Sequence, residues 1–325
     1  MILSIIIPCF NAEKTIAEAL RSTEASASTI ETIVIDDGST DNSLDIARTF
    51  GPNVRVLSGS NRGVSAARNR GIHESRGDWI IFLDADDVLR PGTVEKRLAK
   101  AELAGADVVI SDWEEIDATG ETIEGSRRSV DWTALQQDAE LAIANGVWAT
   151  TAAILYRRSI VEAIGGFRAD LPVIQDARFL FDAAFLGARF AHAAHVGARY
   201  RIAPGSLSRR SPEQFATDIL LNGQQIEALW RASGTFDDAR QQAIAGVYNC
   251  AAAGLLYANS PLCTDAFASL HRLGAVLSRH NRIAAPLVRT LGVSLASTAM
   301  TTTRSVGSWL RFLGQADRTS TGAGK

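Results

Sequence analysis

Three aspartates, Asp84, Asp86 and Asp87, lie within four residues and directly follow the apolar run of residues 79–83. The apolar run predicts a buried strand. Aspartate is a poor strand former and is costly to bury without a partner, so the cluster is expected where the strand emerges. Two carboxylates one residue apart can hold a hard divalent cation that keeps some waters and bridges to phosphate oxygens. The alternative is an acidic turn that simply ends the strand.

The rest of the first half predicts the elements that position this cluster. Apolar segments at residues 3–7, 32–35, 54–57 and 107–110 predict four more short strands. Segments with helical spacing separate them at intervals of about 25 residues, and Asn11 is expected to cap the first helix. This alternation predicts an α/β fold with a mostly parallel sheet covered by helices on both faces.

Polar loops follow four of the predicted strands. They occupy residues 8–11, 36–39, 61–63 and 84–87, and three of them carry Asp or Arg. Ligands of parallel sheets bind outside the carboxyl ends of the strands, so these loops are expected to form one site. The alternative for each loop taken alone is an ordinary turn.

The second half of the chain gives weaker patterns. Residues 113–145 predict an exposed, acidic excursion, 151–156 a returning strand, and 159–164 a short helix. A helix is expected to follow Asp176, because apolar side chains recur on one face up to Gly187. Residues from Pro212 to about 313 are expected to be helical, and the small, polar tail 314–325 is expected to be disordered.

Composition and charge narrow the function classes. The 325 residues are 46% hydrophobic and 21% charged, which is typical of a globular protein. The net charge of −3 argues against a nucleic-acid partner. Residues 266–325 nevertheless carry eight Lys or Arg against one acid. The three cysteines are scattered along the chain, which indicates a reducing compartment. The sequence has no signal-peptide pattern and no segment of about 20 apolar residues, so a cytoplasmic protein is expected.

The order of the motifs resembles that of the family-2 glycosyltransferases, which have the GT-A fold. The motifs are SIIIPCFNAEKTI, VIDDGSTDNS, NRGVSAARNRGI, GDWIIFLDADD, GGF and the later Gln175-Asp176. The resemblance covers about residues 1–210. It implies a Rossmann-like GT-A catalytic domain, with a nucleotide-sugar half at about 1–112 and an acceptor half at 113–210, followed by a helical region at 211–313. It also implies a nucleotide-sugar donor, a divalent metal (Mn²⁺ or Mg²⁺) and an inverting mechanism.

The resemblance assigns the first loops to the nucleotide. Pro8, Asn11 and Asp36 or Asp37 would contact the base and ribose, since a carboxylate can accept the N–H of a uracil ring. A turn or cap residue is the alternative for Asp37. Among the arginines, Arg62 and Arg68 are the candidates for diphosphate contact, because a guanidinium matches phosphate geometry. A solvated helix face is the alternative for Arg68.

The same resemblance assigns the metal and the base. Asp84-Ala85-Asp86 matches the family's DxD motif, in which Asp86 would bind the metal and Asp84 would reach the ribose or a metal-bound water. At the later motif, Asp176 matches the catalytic base that deprotonates the acceptor hydroxyl. A plain helix N-cap is the alternative for Asp176, and Asp182 is the competing carboxylate. Gln175 stands where relatives have Glu, so an accessory acid is absent.

One position departs from the family pattern. Relatives often carry a His near Ala203, and here Arg199 or Arg201 is expected to supply that positive charge instead. The lone His192 and His195 are more typical of structural residues. Trp148 is expected either in the core or stacked on an acceptor sugar.

Two alternative functions remain open. One is a metal-dependent phosphotransferase of the haloacid-dehalogenase type, with Asp84 as nucleophile; the other is a non-catalytic nucleotide-sugar-binding protein. The expected reaction moves a sugar, most readily from a UDP-sugar, to a hydroxyl of a glycan or lipid-linked acceptor in cell-surface polysaccharide synthesis. The expected location is the cytoplasm, with the C-terminal helices contacting the inner face of the membrane, a second subunit of a homo-oligomer or the catalytic domain. The apolar stripe of Val306, Trp309, Leu310 and Leu313 with nearby arginines motivates that last expectation.

Overall fold

The structure, a computed structural model, describes residues 2–24, 29–202, 211–275 and 279–301. Eight strands form one mixed sheet in the order β3-β2-β1-β4-β7-β6-β8-β5. Their bounds are β1 Ile2–Cys9, β2 Thr29–Asp36, β3 Val54–Ser58, β4 Trp79–Phe82, β5 Val88–Leu89, β6 Val108–Ile116, β7 Ile154–Arg157 and β8 Phe190–Arg201.

Twelve helices are described. They are α1 Ile16–Thr23, α2 Ser43–Arg48, α3 Val64–Glu74, α4 Thr93–Ala104, α5 Trp132–Gln137, α6 Ala139–Ala144, α7 Arg158–Ile164, α8 Gln175–Phe185, α9 Pro212–Ala232, α10 Asp238–Tyr257, α11 Cys263–Arg272 and α12 Arg279–Thr301. Short 3₁₀ turns at Gly51–Asn53 and Thr151–Ala153 precede β3 and β7.

The direction of the strands brings their functional ends together. β1 pairs in parallel with β2 and β4, and β2 pairs in parallel with β3. β7 lies between β4 and β6 and is antiparallel to both. β6 and its parallel neighbour β8 therefore run in the same direction as β4. The carboxyl ends of β1, β2, β4, β6 and β8 therefore lie at one edge, as the predicted mostly parallel sheet requires.

Buried apolar residues explain why the sheet is continuous. Leu3, Ile5, Ile6 and Ile7 of β1 are at most 1% exposed, and all four residues of β4 are buried. Helix α3 lies so close to β1 that a Cβ on Gly71 would meet Ile6 Cγ2 at 2.2 Å. A strand pair buried on both faces is the expected location for continuous apolar runs.

An aromatic cluster fixes α8 against β4. The rings of Phe167 and Phe179 stack with centroids 4.1 Å apart, and Phe82 at the end of β4 contacts both edge-on. Tyr156 of β7 completes the cluster. Because α8 begins immediately before Asp176 and β4 ends immediately before the acidic loop, this packing sets the distance between the two.

Two compact units divide the chain, one formed by Met1–Glu140 with Trp148–Ser206 and the other by Leu141–Val147 with Leu207–Lys325. In the second unit, the buried carboxylate of Glu227 on α9 accepts hydrogen bonds from Tyr248 Oη (2.6 Å) on α10 and Arg272 (3.0 Å) on α11. Arg231 of the same helix donates to it at 2.8 Å. Three helices are thus joined through one carboxylate.

The structure corrects several predictions about single elements. Helix α1 begins at Ile16 with Thr15 at its N-cap, so the prediction that Asn11 caps it is wrong; Asn11 instead adopts a left-handed φ of 51°. The region after Pro212 consists of separate helices, and Gly292 (φ 77°, ψ 167°) interrupts α12. Strands β5 and β8 are additional to the strands that the sequence predicts. No described helix is long and apolar enough to cross a membrane. The stripe 306–313 and the tail 314–325 lie outside the described residues.

The close approach of α9 and α10 gives a testable contrast between two glycines of α10. A Cβ on Gly254 would lie 2.7 Å from Ala216 Cβ, whereas a Cβ on Gly246 meets nothing within 4 Å. We expect Gly254→Ala to destabilise the protein by about 1–3 kcal/mol through overpacking. Gly246→Ala should stabilise it by about 0.5–1 kcal/mol, because it restricts the unfolded chain. Denaturant unfolding followed by helical circular dichroism measures both, and equal stability of the two variants would contradict the packing described.

Candidate functional site

The loops that follow β1 and β2 are joined by hydrogen bonds. The Asp37 N–H donates to the Cys9 carbonyl oxygen at 2.8 Å, and the Asn11 N–H donates to Ser39 Oγ at 3.0 Å. Asn11 Oδ1 in turn accepts the Thr40 N–H at 2.8 Å. The left-handed backbone of Asn11 makes this possible, because it turns the side chain back onto the second loop. Asn11 itself stays exposed at the rim.

Asp37 brings the third loop onto the second. Its two carboxylate oxygens accept the backbone N–H groups of Arg62 (2.9 Å) and Gly63 (2.8 Å). Asp36 is buried at the end of β2 and accepts the Ser39 N–H at 3.3 Å. Pro8 is buried in β1, in register with Ile35. Of the residues predicted to contact a nucleotide, Asn11 and the Arg62 side chain are therefore the exposed ones, while Pro8, Asp36 and Asp37 shape the loops.

The three aspartates after β4 have three different environments. Asp87 is buried and accepts the Arg201 N–H at 2.9 Å and Thr150 Oγ1 at 3.1 Å, so it holds the loop to β8. Asp84 is one-third exposed and forms an ion pair with Arg68. Asp86 is half-buried, and among the described residues it forms no ion pair. Burial, and then repulsion by Asp84, raises the pKa of Asp86 to about 6.

Arg68 connects the acidic loop to helix α8. Its side chain is only 3% exposed, so the alternative of a solvated helix face is wrong. One terminal nitrogen donates to Asp84 and the other donates to Gln175 Oε1 at 2.6 Å. The guanidinium also lies 5.1 Å from the centre of the Phe167 ring, and its Nε is buried without a hydrogen-bond acceptor. A buried cation thus lies between the loop of Asp84 and the start of α8.

Asp176 is the second residue of α8. The N-cap of this helix is Ile174, which makes no capping hydrogen bond through its side chain, so the alternative that Asp176 is the N-cap is wrong. Asp176 Oδ1 accepts the Ala177 N–H at 2.8 Å, and Oδ2 accepts the Trp148 indole N–H at 3.2 Å. Burial raises the pKa of Asp176, and the charge of Arg68 and these two hydrogen bonds offset part of that increase. A carboxyl group with a raised pKa is suited to accept a proton near neutral pH.

Aromatic side chains surround Trp148. The ring of Trp148 meets those of Trp113 and Tyr200 edge-on, each with centroids 5.8 Å apart. Burial raises the pKa of Tyr200, and the carboxylates of Asp87 and Asp176 raise it further. The half-buried Trp148 therefore lies beside the candidate base rather than only in the core.

Arg201 was expected to offer free positive charge, but it is fully engaged by the protein. It is 5% exposed and donates to the carbonyl oxygens of Asp86 (2.8 Å) and Asp117 (3.1 Å) and to the carboxylate of Glu18. Arg199 pairs with Glu114. Ala203 lies outside the described residues. Arg201 thus fixes the backbone of the acidic loop, a role that sequence reasoning missed because its partners lie far away in the chain.

The histidines and the competing carboxylate also have protein partners. His192 Nε2 lies 2.7 Å from Asp112 Oδ1, and His195 Nε2 lies 3.1 Å from Thr93 Oγ1. Asp182 accepts a 2.7 Å hydrogen bond from Arg178 on the same helix. These residues are held within the fold, so Asp176 remains the better placed carboxylate.

The acidic loop fits a divalent cation whose coordination is completed by substrate. In the part of the chain that the structure describes, no group of three or more Cys, His, Asp or Glu side chains could hold a metal alone. Magnesium in nucleotide sites needs only one or two carboxylates, with water and phosphate oxygens supplying the rest. The half-buried Asp86, with the partly exposed Asp84 two residues before it, would be such a pair.

Comparison with known proteins gives a consistent result. The family model described as "Glycosyl transferase family 2" matches residues 4–165. The putative glycosyltransferase EpsH of Bacillus subtilis (strain 168) is 30% identical over 250 residues, which are 74% of this chain and 72% of that protein. The uncharacterized glycosyltransferase YibD of Escherichia coli (strain K12) is 41% identical over 119 residues, 34% of each chain. The match to that relative thus spans about a third of its length.

A solved structure shows the same fold. The crystal structure of S. aureus TarS 1-349 in complex with UDP-GlcNAc superposes with a TM-score of 0.69 at 20% sequence identity. The alignment covers 92% of this chain and 90% of that one. The predicted GT-A fold, a mostly parallel sheet flanked by helices and followed by C-terminal helices, is confirmed.

Proposed function

Because this chain belongs to glycosyl transferase family 2, we propose that it transfers a sugar from a UDP-sugar, with inversion, to a hydroxyl group of a glycan or lipid-linked acceptor. The observation that carries the proposal is the position of Arg68. This single buried guanidinium contacts Asp84 of the acidic loop and Gln175, the neighbour of Asp176, so donor and acceptor groups share one site. That S. aureus TarS was crystallised with UDP-GlcNAc supports the choice of UDP.

The donor half of the site recognises the nucleoside diphosphate. Asn11 and the loops shaped by Pro8, Asp36 and Asp37 receive the base and ribose, and Asp84 reaches the ribose or a bound water. The exposed Arg62 is the first candidate for direct diphosphate contact. Arg68 is paired with Asp84, so it would have to release that carboxylate before it could contact a phosphate.

Asp86 would hold a divalent cation, Mn²⁺ or Mg²⁺, which would supply positive charge that stabilises the leaving nucleoside diphosphate. On the opposite side of the sugar, Asp176 accepts the proton of the acceptor hydroxyl as its oxygen bonds to the anomeric carbon. The bond to the diphosphate breaks at the same carbon, so the configuration inverts. The sugar, the acceptor and the linkage depend on pocket shape.

The phosphotransferase alternative has lost its support. The chain belongs to a family of glycosyltransferases. A non-catalytic nucleotide-sugar-binding protein is the remaining alternative, and donor turnover by the purified protein distinguishes the two.

Replacing Asp86 tests the donor site. We expect Asp86→Ala to lose manganese-dependent UDP binding by at least about tenfold, since it removes the main protein ligand of the cation. The fold should not be weakened, because burial raises the pKa of Asp86 and its charged form is therefore unfavourable in the folded state. Titration calorimetry with UDP, GDP and dTDP in manganese, together with thermal melting, measures both effects.

Asp45→Asn is the matched control, because this aspartate is 81% exposed on α2. Unchanged UDP–manganese affinity in Asp86→Ala would overturn the metal assignment. Tighter binding of GDP or dTDP than of UDP would overturn only the choice of nucleotide.

Replacing Asp176 tests the base. We expect Asp176→Asn to keep donor affinity and to lose transfer by about 10²- to 10⁴-fold, because an amide cannot accept the proton. The raised pKa of Asp176 should place the acidic limb of the wild-type pH–kcat profile above the ordinary range of an aspartate, with activity falling as pH drops through it. Asp182→Asn is the control and should retain turnover. Normal turnover in Asp176→Asn would move the base elsewhere.

The C-terminal region supports peripheral contact with an anionic membrane, which would favour a lipid-linked acceptor. Residues 266–301 contain four arginines and no acid. On α12, Leu291 and Leu295 are 45% and 61% exposed near the exposed Arg289. Basic residues beside exposed apolar side chains suit the surface of an anionic bilayer.

Flotation with liposomes tests this contact. We expect the protein to float with anionic vesicles at low salt, and less so at high salt or with neutral vesicles, because salt screens the attraction. Leu295→Ser and Arg289→Glu should reduce flotation. Absence of flotation, combined with a dimer mass in sedimentation, would assign this face to a homo-oligomer instead.

A further inference from the structure

Among the described residues, the indole of Trp148 is the only aromatic N–H that donates a hydrogen bond to Asp176. Trp148 Nε1 lies 3.2 Å from Asp176 Oδ2, while the backbone N–H of Ala177 donates to Oδ1 at 2.8 Å. Each carboxylate oxygen therefore receives one hydrogen bond and keeps a further lone pair for an acceptor hydroxyl. Two donors on different oxygens also fix the rotation of the carboxylate plane.

The surroundings of Trp148 hold the indole in this position. Trp113 is 4% exposed, lies on β6 and meets Trp148 edge-on, and Tyr200 of β8 meets it edge-on at another side. Two residues further along, Thr150 donates to the buried Asp87 of the acidic loop at 3.1 Å. The segment that carries Trp148 is thus attached to the loop that would hold the donor as well as to the base.

We propose that Trp148 is a positioning residue of the transfer reaction, whose indole N–H orients the carboxylate of Asp176 toward the acceptor hydroxyl. The inference rests on the proposed role of Asp176 as the base. The proton balance involves Asp176 alone: the acceptor O–H gives its proton to the carboxylate, the acceptor oxygen bonds to the sugar, and the bond to the diphosphate breaks. The indole N–H keeps its proton throughout.

The hydrogen bond also favours the charged form of the base. A donor that binds the carboxylate lowers its pKa and so opposes the increase that burial causes. The other charged and titratable groups that act on Asp176 are Arg68 on α3, Asp84 after β4, Tyr156 on β7 and Tyr200 on β8. Trp148→Phe adds no charge to these groups and removes none.

Trp148→Phe is the test, because it keeps an aromatic ring and removes the N–H. We expect kcat to fall about 10- to 100-fold, the range for losing a hydrogen bond to a charged group. The affinity for UDP with manganese and the thermal midpoint should change little. The acidic limb of the pH–kcat profile should move to higher pH. Trp132→Phe, the same substitution at a half-buried tryptophan that packs against His192, is the control and should leave kcat and the limb near those of the wild type.

A double-mutant cycle separates positioning from packing. Once Asp176→Asn has removed the base, Trp148→Phe should reduce the residual rate no further, because the two side chains act as one unit. Equal losses in both backgrounds, or a normal kcat in Trp148→Phe, would overturn the inference and leave Trp148 as a packing residue. If neither Trp148→Phe nor Trp148→Tyr folds, as judged by circular dichroism, the inference would likewise be overturned and Trp148 would be a packing residue.

The outcomes also separate this inference from the proposed function. Full activity of Asp176→Asn would remove the base and the positioning role together. An inactive Asp176→Asn with a normal Trp148→Phe would leave the proposed function in place and remove only the role of Trp148.

Discussion

The buried ion pair between Arg68 and Asp84 is the interaction on which the site depends. An arginine that is almost fully buried needs partners for its charge, and here they are one carboxylate and one neutral amide, Gln175. Removing Asp84 would leave the buried guanidinium without a counter-charge, which is strongly unfavourable. The pair therefore constrains the acidic loop after β4 and the start of α8 to remain adjacent. The aromatic packing of Phe82, Phe167 and Phe179 holds the same two elements together from beneath.

The remaining loops are ordered by main-chain hydrogen bonds to carboxylates and amides. Asp37 binds two backbone N–H groups of the third loop, and Asn11 binds the loop after β2. The acidic loop is joined to β8 by two hydrogen bonds: Asp87 accepts the Arg201 backbone N–H, and the Arg201 side chain donates to the carbonyl oxygen of Asp86. Some charged residues that the sequence suggests as ligand contacts instead form the hydrogen bonds that hold these loops in place. The groups left exposed or poorly compensated, Arg62 and Asp86, are those best able to meet a ligand.

Five of the strands that begin in the first 112 residues could be predicted from local patterns, because each contains a short, mainly apolar segment; the two-residue β5 is too short to give such a pattern. β8 could not be predicted either, since its alanines and histidines have little strand propensity and its conformation comes from pairing with β6. The start of the exposed excursion predicted for residues 113–145 was also wrong: β6 extends to Ile116, and Glu115 on it pairs with Arg128. Motif order singled out Asp84, Asp86 and Asp176 as candidates. The partners of Trp148 and Arg201 lie 28 to 183 residues away in the chain, and no spacing rule reaches that far.

The division of the chain into two units has a consequence for how the polypeptide can be cut. Residues 141–147 belong to the helical unit, although they lie in the middle of the sequence that forms the sheet, and the chain returns from them directly at Trp148. Deleting everything after residue 206 would therefore strip these seven residues of their own unit, just before the indole that meets Asp176. The helical unit consists of an internal segment of seven residues as well as the C-terminal part of the chain. A truncation after residue 206 would therefore not remove one whole unit.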